Sequence, residues 1–214
     1  MNITIAGGHG QIAMHLHPIL TSAGHKVNGL IRNPDHAEEL EKAGASPVIC
    51  DLENESDISA KVGKADAVVF AAGAGPGSGA KRKWTMDRDG ALKLMEACKK
   101  NGIHRYVMIS AMKVEEPRGN EVFQEYLKAK SEADAALRNS GLDFTIVRPG
   151  RLTDEAPTGL VSLAYDLPRG EIPRADVAAV VAECLENSAS IGKQFDLTSG
   201  STPINEAVSA LGDG

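Results

Sequence analysis

Two side chains within Glu-Tyr-Leu-Lys-Ala-Lys-Ser-Glu-Ala-Asp, residues 125–134, have the types and spacing to move a proton. On a helix advancing about 100° per residue, Lys130, Ala133 and Leu137 all fall within roughly 40° of Tyr126, whereas Lys128 falls near 200°. A lysine in line with small and apolar residues has two readings. Its stem lies along apolar surface with the ammonium reaching water, or it is a cation held inward for a task. Beside a tyrosine that task would be to lower the phenol pKa, so that the hydroxyl exchanges a proton near neutral pH.

A second group of residues could hold a phosphate. The segment Ala-Gly-Gly-His-Gly-Gln-Ile-Ala, residues 6–13, places Gly7-x-x-Gly10-x-x-Ala13 directly after a β-branched run, with Gln11 and Ile12 opening the next helix. Glycines there allow a tight turn and let a pyrophosphate approach the free N–H groups and positive end of the helix. The end of the second strand then selects the dinucleotide. A carboxylate would hold the ribose 2′-hydroxyl of NAD and repel the 2′-phosphate of NADP, but the chain reads Leu-Ile-Arg-Asn-Pro-Asp-His, residues 30–36. The Arg32 guanidinium suits a phosphate, so NADP is the expected cofactor. Arg32 as a solvated loop cation, with Asp35 in the acidic role, is the competing reading. The glycine-rich loop 73–84, ending Lys81-Arg82-Lys83-Trp84, could bring backbone N–H groups to the cofactor phosphates with its basic residues helping at the 2′-phosphate, or be a mobile loop with a solvated cationic end.

The elements that must position these residues alternate along the chain. Strands are expected at 2–6, 26–31, 46–50, 67–71, 105–110, 144–148 and 193–198. Helices are expected near 11–23, 35–43, 54–62, 84–101, 121–139 and 174–187, with a last one from about Ile204. Apolar strands alternating with helices imply right-handed parallel crossovers and an α/β, Rossmann-type doubly wound parallel sheet. Nothing separates a second core, so residues 1–214 read as a single domain. The Gly- and Pro-rich stretch from Gly150 to Pro173 is expected to be an irregular substrate-side loop or lid, within about 150–175. Pro18 falls inside the first helix, where it removes a bond to the Met14 carbonyl and should kink the helix.

The 214 residues can bury a sizeable core unaided. Three cysteines far apart, with no CxxC, suggest neither a disulfide framework nor a zinc ribbon and point to a reducing, cytoplasmic setting. A net charge of −6 with interspersed signs argues against a nucleic-acid partner, and no apolar run has the length of a membrane span. The expected partner is a small-molecule substrate, bound by a monomer or homodimer.

With these motifs assembled, the chain resembles the short-chain dehydrogenase/reductase superfamily, specifically its atypical single-domain NADP-binding members, similar to extended epimerases and to NmrA-like proteins. The resemblance runs from Gly7 to about Glu206. It implies that Asp51 and Leu52 border the adenine, that Ala71, Ala72 and Gly73 line the cofactor, and that Pro149, within Val-Arg-Pro-Gly at 147–150, passes the nicotinamide. It implies further that Ser110 positions a carbonyl or hydroxyl, that Tyr126 is the acid/base, and that Lys130 orients the ribose and tunes Tyr126. Asp87 stands where the superfamily usually has an asparagine, and a carboxylate cannot donate hydrogen bonds as an amide does. The function so implied is an oxidoreductase acting on a small carbonyl or hydroxyl by hydride transfer. A dinucleotide-responsive regulatory protein and an epimerase or dehydratase that retains its cofactor are the alternatives.

Overall fold

Nine strands form one sheet in the order β11-β8-β10-β6-β5-β4-β1-β2-β3 in the computed structural model, which describes residues 1–75 and 77–213. The parallel part comprises β1 (Asn2–Ala6), β2 (Lys26–Ile31), β3 (Ser46–Ile49), β4 (Ala67–Phe70), β5 (Arg105–Ile109), β6 (Asp143–Pro149) and β10 (Lys193–Ser199). These are the expected strands to within about two residues at each end.

Successive β4 residues point to opposite faces, which is the two-residue period of a strand. Ala67 and Val69 join a core with α1 (Gln11–Ser22) and α7 (Arg174–Glu186), while Val68 and Phe70 join a second core with α5 (Asp89–Asn101) and α6 (Glu121–Arg138). Both faces are covered, so all four residues are buried. The ends of α6 follow from sequence: Asn120 Oδ1 accepts from the Phe123 N–H at 2.9 Å, and Arg138 sits in the last turn, where a cation meets the negative end of the helix.

The structure departs from the sequence reading in three places. The expected helix at 54–62 is reduced to α3 (Ser59–Val62), because Asp51 gathers the preceding segment into a turn by accepting from the N–H groups of Glu53 and Asn54. The segment Gly150–Pro173 is not an irregular lid. It contains β7 (Arg151–Thr153) and β9 (Glu171–Pro173), paired in parallel, and β8 (Leu160–Ala164), which joins the main sheet antiparallel to β10. Buried Asp176 in the first turn of α7 accepts from the N–H groups of Thr158 and Gly159 and so fixes the lead into β8. The sheet is therefore mixed at this edge, where β11 (Thr202–Pro203) also pairs antiparallel with β8 before α8 (Ile204–Ser209).

The helix expected at 84–101 begins earlier, as a short turn α4 (Ala80–Arg82) followed by a π-helical stretch, Lys83–Arg88, that runs into α5. Such stretches are rare and concentrate at functional sites. Pro76, within the expected 73–84 loop, lies outside the described residues. Among the described residues no helix is long and apolar enough to cross a membrane, and Cys50, Cys98 and Cys184 are free and buried.

Candidate functional site

A cavity of about 210 Å³ opens at the carboxyl ends of β1, β2 and β4. In a doubly wound sheet this is where ligands bind, at the point where strand order reverses. The cavity brings together Gly7, Gly10, Arg32, Asp51, Leu52, Ala71, Ala72 and Gly73. Gly7 adopts φ +83°, and a Cβ there would lie 2.6 Å from the Ala72 Cα, so only glycine allows the turn to rest against the chain leaving β4. Gly10 caps α1 in an extended conformation, with no side-chain cap and no acid in the first turn. The helix thus presents uncapped N–H groups and an uncompensated positive end to the cavity. Gln11 and Ile12 begin α1 beside this opening but are not among the residues lining it.

His17 supports the turn from below. Its Nε2 donates to the Gly8 carbonyl at 2.6 Å, and burial lowers its pKa. The ring of His9 stacks on His36 with centroids 3.6 Å apart, and His9 Nε2 meets Glu39 at 2.9 Å. That hydrogen bond holds the Glu39 carboxyl below its ordinary value. Across the cavity, burial alone would raise the Asp51 carboxyl, but hydrogen bonds from the Asn54 side chain and nearby N–H groups keep it below the usual range.

The residues with acid/base chemistry meet on the far side of Gly73. Asp87, fully buried, accepts from the Ala74 N–H at 3.2 Å, and a Cβ on Gly73 would lie 3.3 Å from its Oδ1. The π-helical stretch is what carries Asp87 inward. Lys130 Nζ lies 3.5 Å from that Oδ1 and donates to the Ile109 carbonyl at 3.0 Å. The question posed by the helix face is thereby answered: the lysine faces inward because a buried carboxylate waits for it. Tyr126 is half-buried on the same helix, and its phenol pKa is raised rather than lowered. Burial is the main cause, the charges of Asp87 and Asp134 add to it, and Arg118 is the cation that opposes it. In the free protein the Lys130 ammonium pairs with Asp87.

Ser110 directly follows β5. Its N–H donates to the Val147 carbonyl at 2.8 Å, and its buried Oγ has no hydrogen-bond partner among the described residues. Behind it, Asp134 Oδ2 accepts from Arg148 Nε at 2.8 Å while Oδ1 is unpartnered, and Arg148 also meets Glu115 at 2.7 Å. Burial raises the Asp134 carboxyl, against the pull of Arg148 and nearby Ser110. Pro149 ends β6 away from the cavity lining, its carbonyl accepting from the Met112 N–H.

Sequence reasoning missed His9 and His36 at the cavity, Arg118 near Tyr126, and the Asp134–Arg148 pair, and it held Arg82 only as part of the basic end of the 73–84 loop. His9 and His36 lie inside the quoted turn and strand-end segments, Asp134 lies four residues beyond Lys130, and Arg148 lies inside Val-Arg-Pro-Gly.

Residues 7–188 match the model of a family described as NAD(P)H-binding. A Bacillus subtilis protein named as an uncharacterized sugar epimerase, YhfK, is 39% identical over 99% of this chain and 100% of its own. A Bacillus halodurans structure described as a candidate NAD-dependent epimerase/dehydratase superposes with a TM-score of 0.92 at 39% identity, over 97% of this chain and 98% of that one. The oxidoreductase ylbE from Lactococcus lactis gives a TM-score of 0.87 at 27% identity, covering 100% and 98%.

Proposed function

Because the chain belongs to the NAD(P)H-binding family, we propose that it is an NADP-dependent oxidoreductase that reduces a small carbonyl substrate by hydride transfer. One observation carries the reading. The cavity at the glycine turn and the acid/base cluster share a wall at Gly73, which lines the first and abuts Asp87 of the second. The residues present fit the cofactor: the Gly7–Gly10 turn and the uncapped start of α1 would take the pyrophosphate, Asp51 and Leu52 the adenine side, and Arg32 the 2′-phosphate.

When bound, the cofactor would supply the hydride. The Ser110 hydroxyl, which lies beside the Asp134 carboxyl, would turn to donate to the substrate oxygen and orient it. Tyr126 would give a proton to that oxygen as it gains charge, and bound cofactor and substrate would have to offset the burial and neighbouring carboxylates that raise its pKa in the free protein. Lys130 and Asp87 hold α6 and the π-helical stretch together beneath the site.

The test is NADPH oxidation against a panel of small aldehydes and ketones. Tyr126→Phe should abolish turnover while leaving NADPH binding within about twofold, and Ser110→Ala should reduce turnover. A charge-assisted contact contributes about 1.5–3 kcal/mol, so NADPH should bind roughly ten- to a hundredfold tighter than NADH, a gap that Arg32→Ala narrows. Tight NADPH binding with no turnover of any carbonyl would favour a dinucleotide-sensing regulator instead. The relatives named as epimerases support a second reading, an epimerase or dehydratase that keeps its cofactor, and nicotinamide co-purifying with the protein would favour it.

A further inference from the structure

Arg32 already has a partner. Its guanidinium lies 3.4 Å from Glu53 Oε2, the same oxygen accepts from Arg82 Nε at 3.1 Å, and Glu53 Oε1 accepts from Thr85 Oγ1 at 2.7 Å. One carboxylate is therefore shared by the end of β2 and by the segment that follows β4. Both arginines line the cavity. The Glu53 side chain is only 17% exposed against 57% for Arg32, so the acid sits deeper than the cation it holds.

We propose that Glu53 is a built-in counter-anion at the 2′-phosphate seat, which holds Arg32 and Arg82 toward each other in the free protein and gives them up when a 2′-phosphorylated dinucleotide binds. This rests on the dinucleotide reading of the cavity and adds Arg82 as a second specificity-determining cation. Two guanidiniums share the one Glu53 oxygen, and the other carboxylate near them, Asp51, is occupied by its own loop N–H groups and the Asn54 side chain. A phosphate monoester carries about −1.5 to −2 at neutral pH and offers three acceptor oxygens, so it neutralises both arginines where the carboxylate satisfies them only in part. Arg82 can make the exchange without losing its place, because its second nitrogen donates to the Ala74 carbonyl at 3.3 Å. Glu53 remains tied to Thr85. A dinucleotide without the phosphate leaves both pairs intact, so Glu53 narrows the preference between the two cofactors.

Glu53→Gln retains an acceptor for Thr85 and the side-chain volume while removing the charge. Partly exposed ion pairs contribute little individually, so the expected gain is about three- to tenfold in NADPH affinity, with NADH within about twofold of wild type. Arg82→Met should act oppositely, weakening NADPH by about tenfold and leaving NADH nearly unchanged. Calorimetric titration of wild type and both variants with NADPH and with NADH, alongside melting temperatures to confirm folding, reads both effects. A wider NADPH/NADH ratio in Glu53→Gln with a narrower one in Arg82→Met supports the proposal. NADPH binding that is weaker or unchanged in Glu53→Gln would overturn it while leaving the dinucleotide reading in place, since Glu53 would then be a strut. A ratio unaltered by Arg82→Met would remove Arg82 from the seat. Failure of wild type to bind either dinucleotide would overturn both the reading of the cavity and this inference.

Discussion

Replacing Lys130 by methionine keeps the apolar stem and deletes only the ammonium. It leaves Asp87, whose side chain is 0% exposed, with a single N–H donor and no counter-charge. Removing one member of a buried pair costs about 3–5 kcal/mol, because the other charge stays desolvated and uncompensated. In a chain of this length that corresponds to a fall in melting temperature of about 6–20 °C. Asp87→Asn removes the other charge and strands the ammonium against the Ile109 carbonyl, with a loss of similar size. The double variant lacks both charges and should be little worse than either single one, which gives a coupling of roughly 3 kcal/mol, at the top of the range for contacting residues. Urea unfolding of the four proteins, analysed with a common dependence on denaturant, measures the cycle. Single-variant losses that add to within about 0.5 kcal/mol would show the two groups to be independent. The inward position of Lys130 would then need another cause.

Phenolate absorbance of wild type minus Tyr126→Phe should titrate above pH 10 in the free protein, and Asp87→Asn should bring the midpoint down; an unchanged midpoint would remove Asp87 from the tyrosine's surroundings. His17, whose folded pKa lies below its ordinary 6.5, binds a proton more readily when unfolded. Its contribution is therefore present above pH 6.5 and lost as pH falls through and below that value. Stability of wild type relative to His17→Gln, which can still donate to Gly8, should decline over that acid window. Gly7→Ala should destabilise by more than about 1–2 kcal/mol, since it meets both a left-handed φ and the Ala72 backbone, while Gly10→Val, at φ −67°, should keep the far-UV spectrum and lose NADPH binding. Native NADPH affinity in Gly10→Val would place the pocket elsewhere.

The parallel sheet and the glycine turn were legible because their signals are local: apolar runs of strand length, and glycine where the chain must reverse. The faces of α6 were legible too, since a helix fixes the direction of Tyr126 and Lys130. What Lys130 faces was not. Asp87 lies 43 residues earlier, and its direction depends on a π-helical stretch that shifts the ordinary 3.6-residue phase. The meeting of Arg32, Arg82 and Glu53 depends likewise on how two loops close over one sheet end. The Gly150–Pro173 segment was misread because glycines and prolines there punctuate very short strands, fixed by Asp176 from a later helix rather than by periodicity of their own.

Both outer strands of the sheet carry a proline, Pro47 in β3 and Pro203 in β11. The Cys50 N–H donates inward to the Ile31 carbonyl, and N–H directions alternate along a strand, so the amide position at 47 faces outward. At the other edge the Ile204 N–H turns inward to the Gly159 carbonyl, which leaves position 203 facing out. Each proline deletes a donor where another chain would otherwise zip on. The β3 border exposes Ile49 at 46%, the kind of apolar edge that templates aggregation, and Pro47 blunts it. Edge-to-edge pairing of two copies is thereby disfavoured at both borders of the sheet.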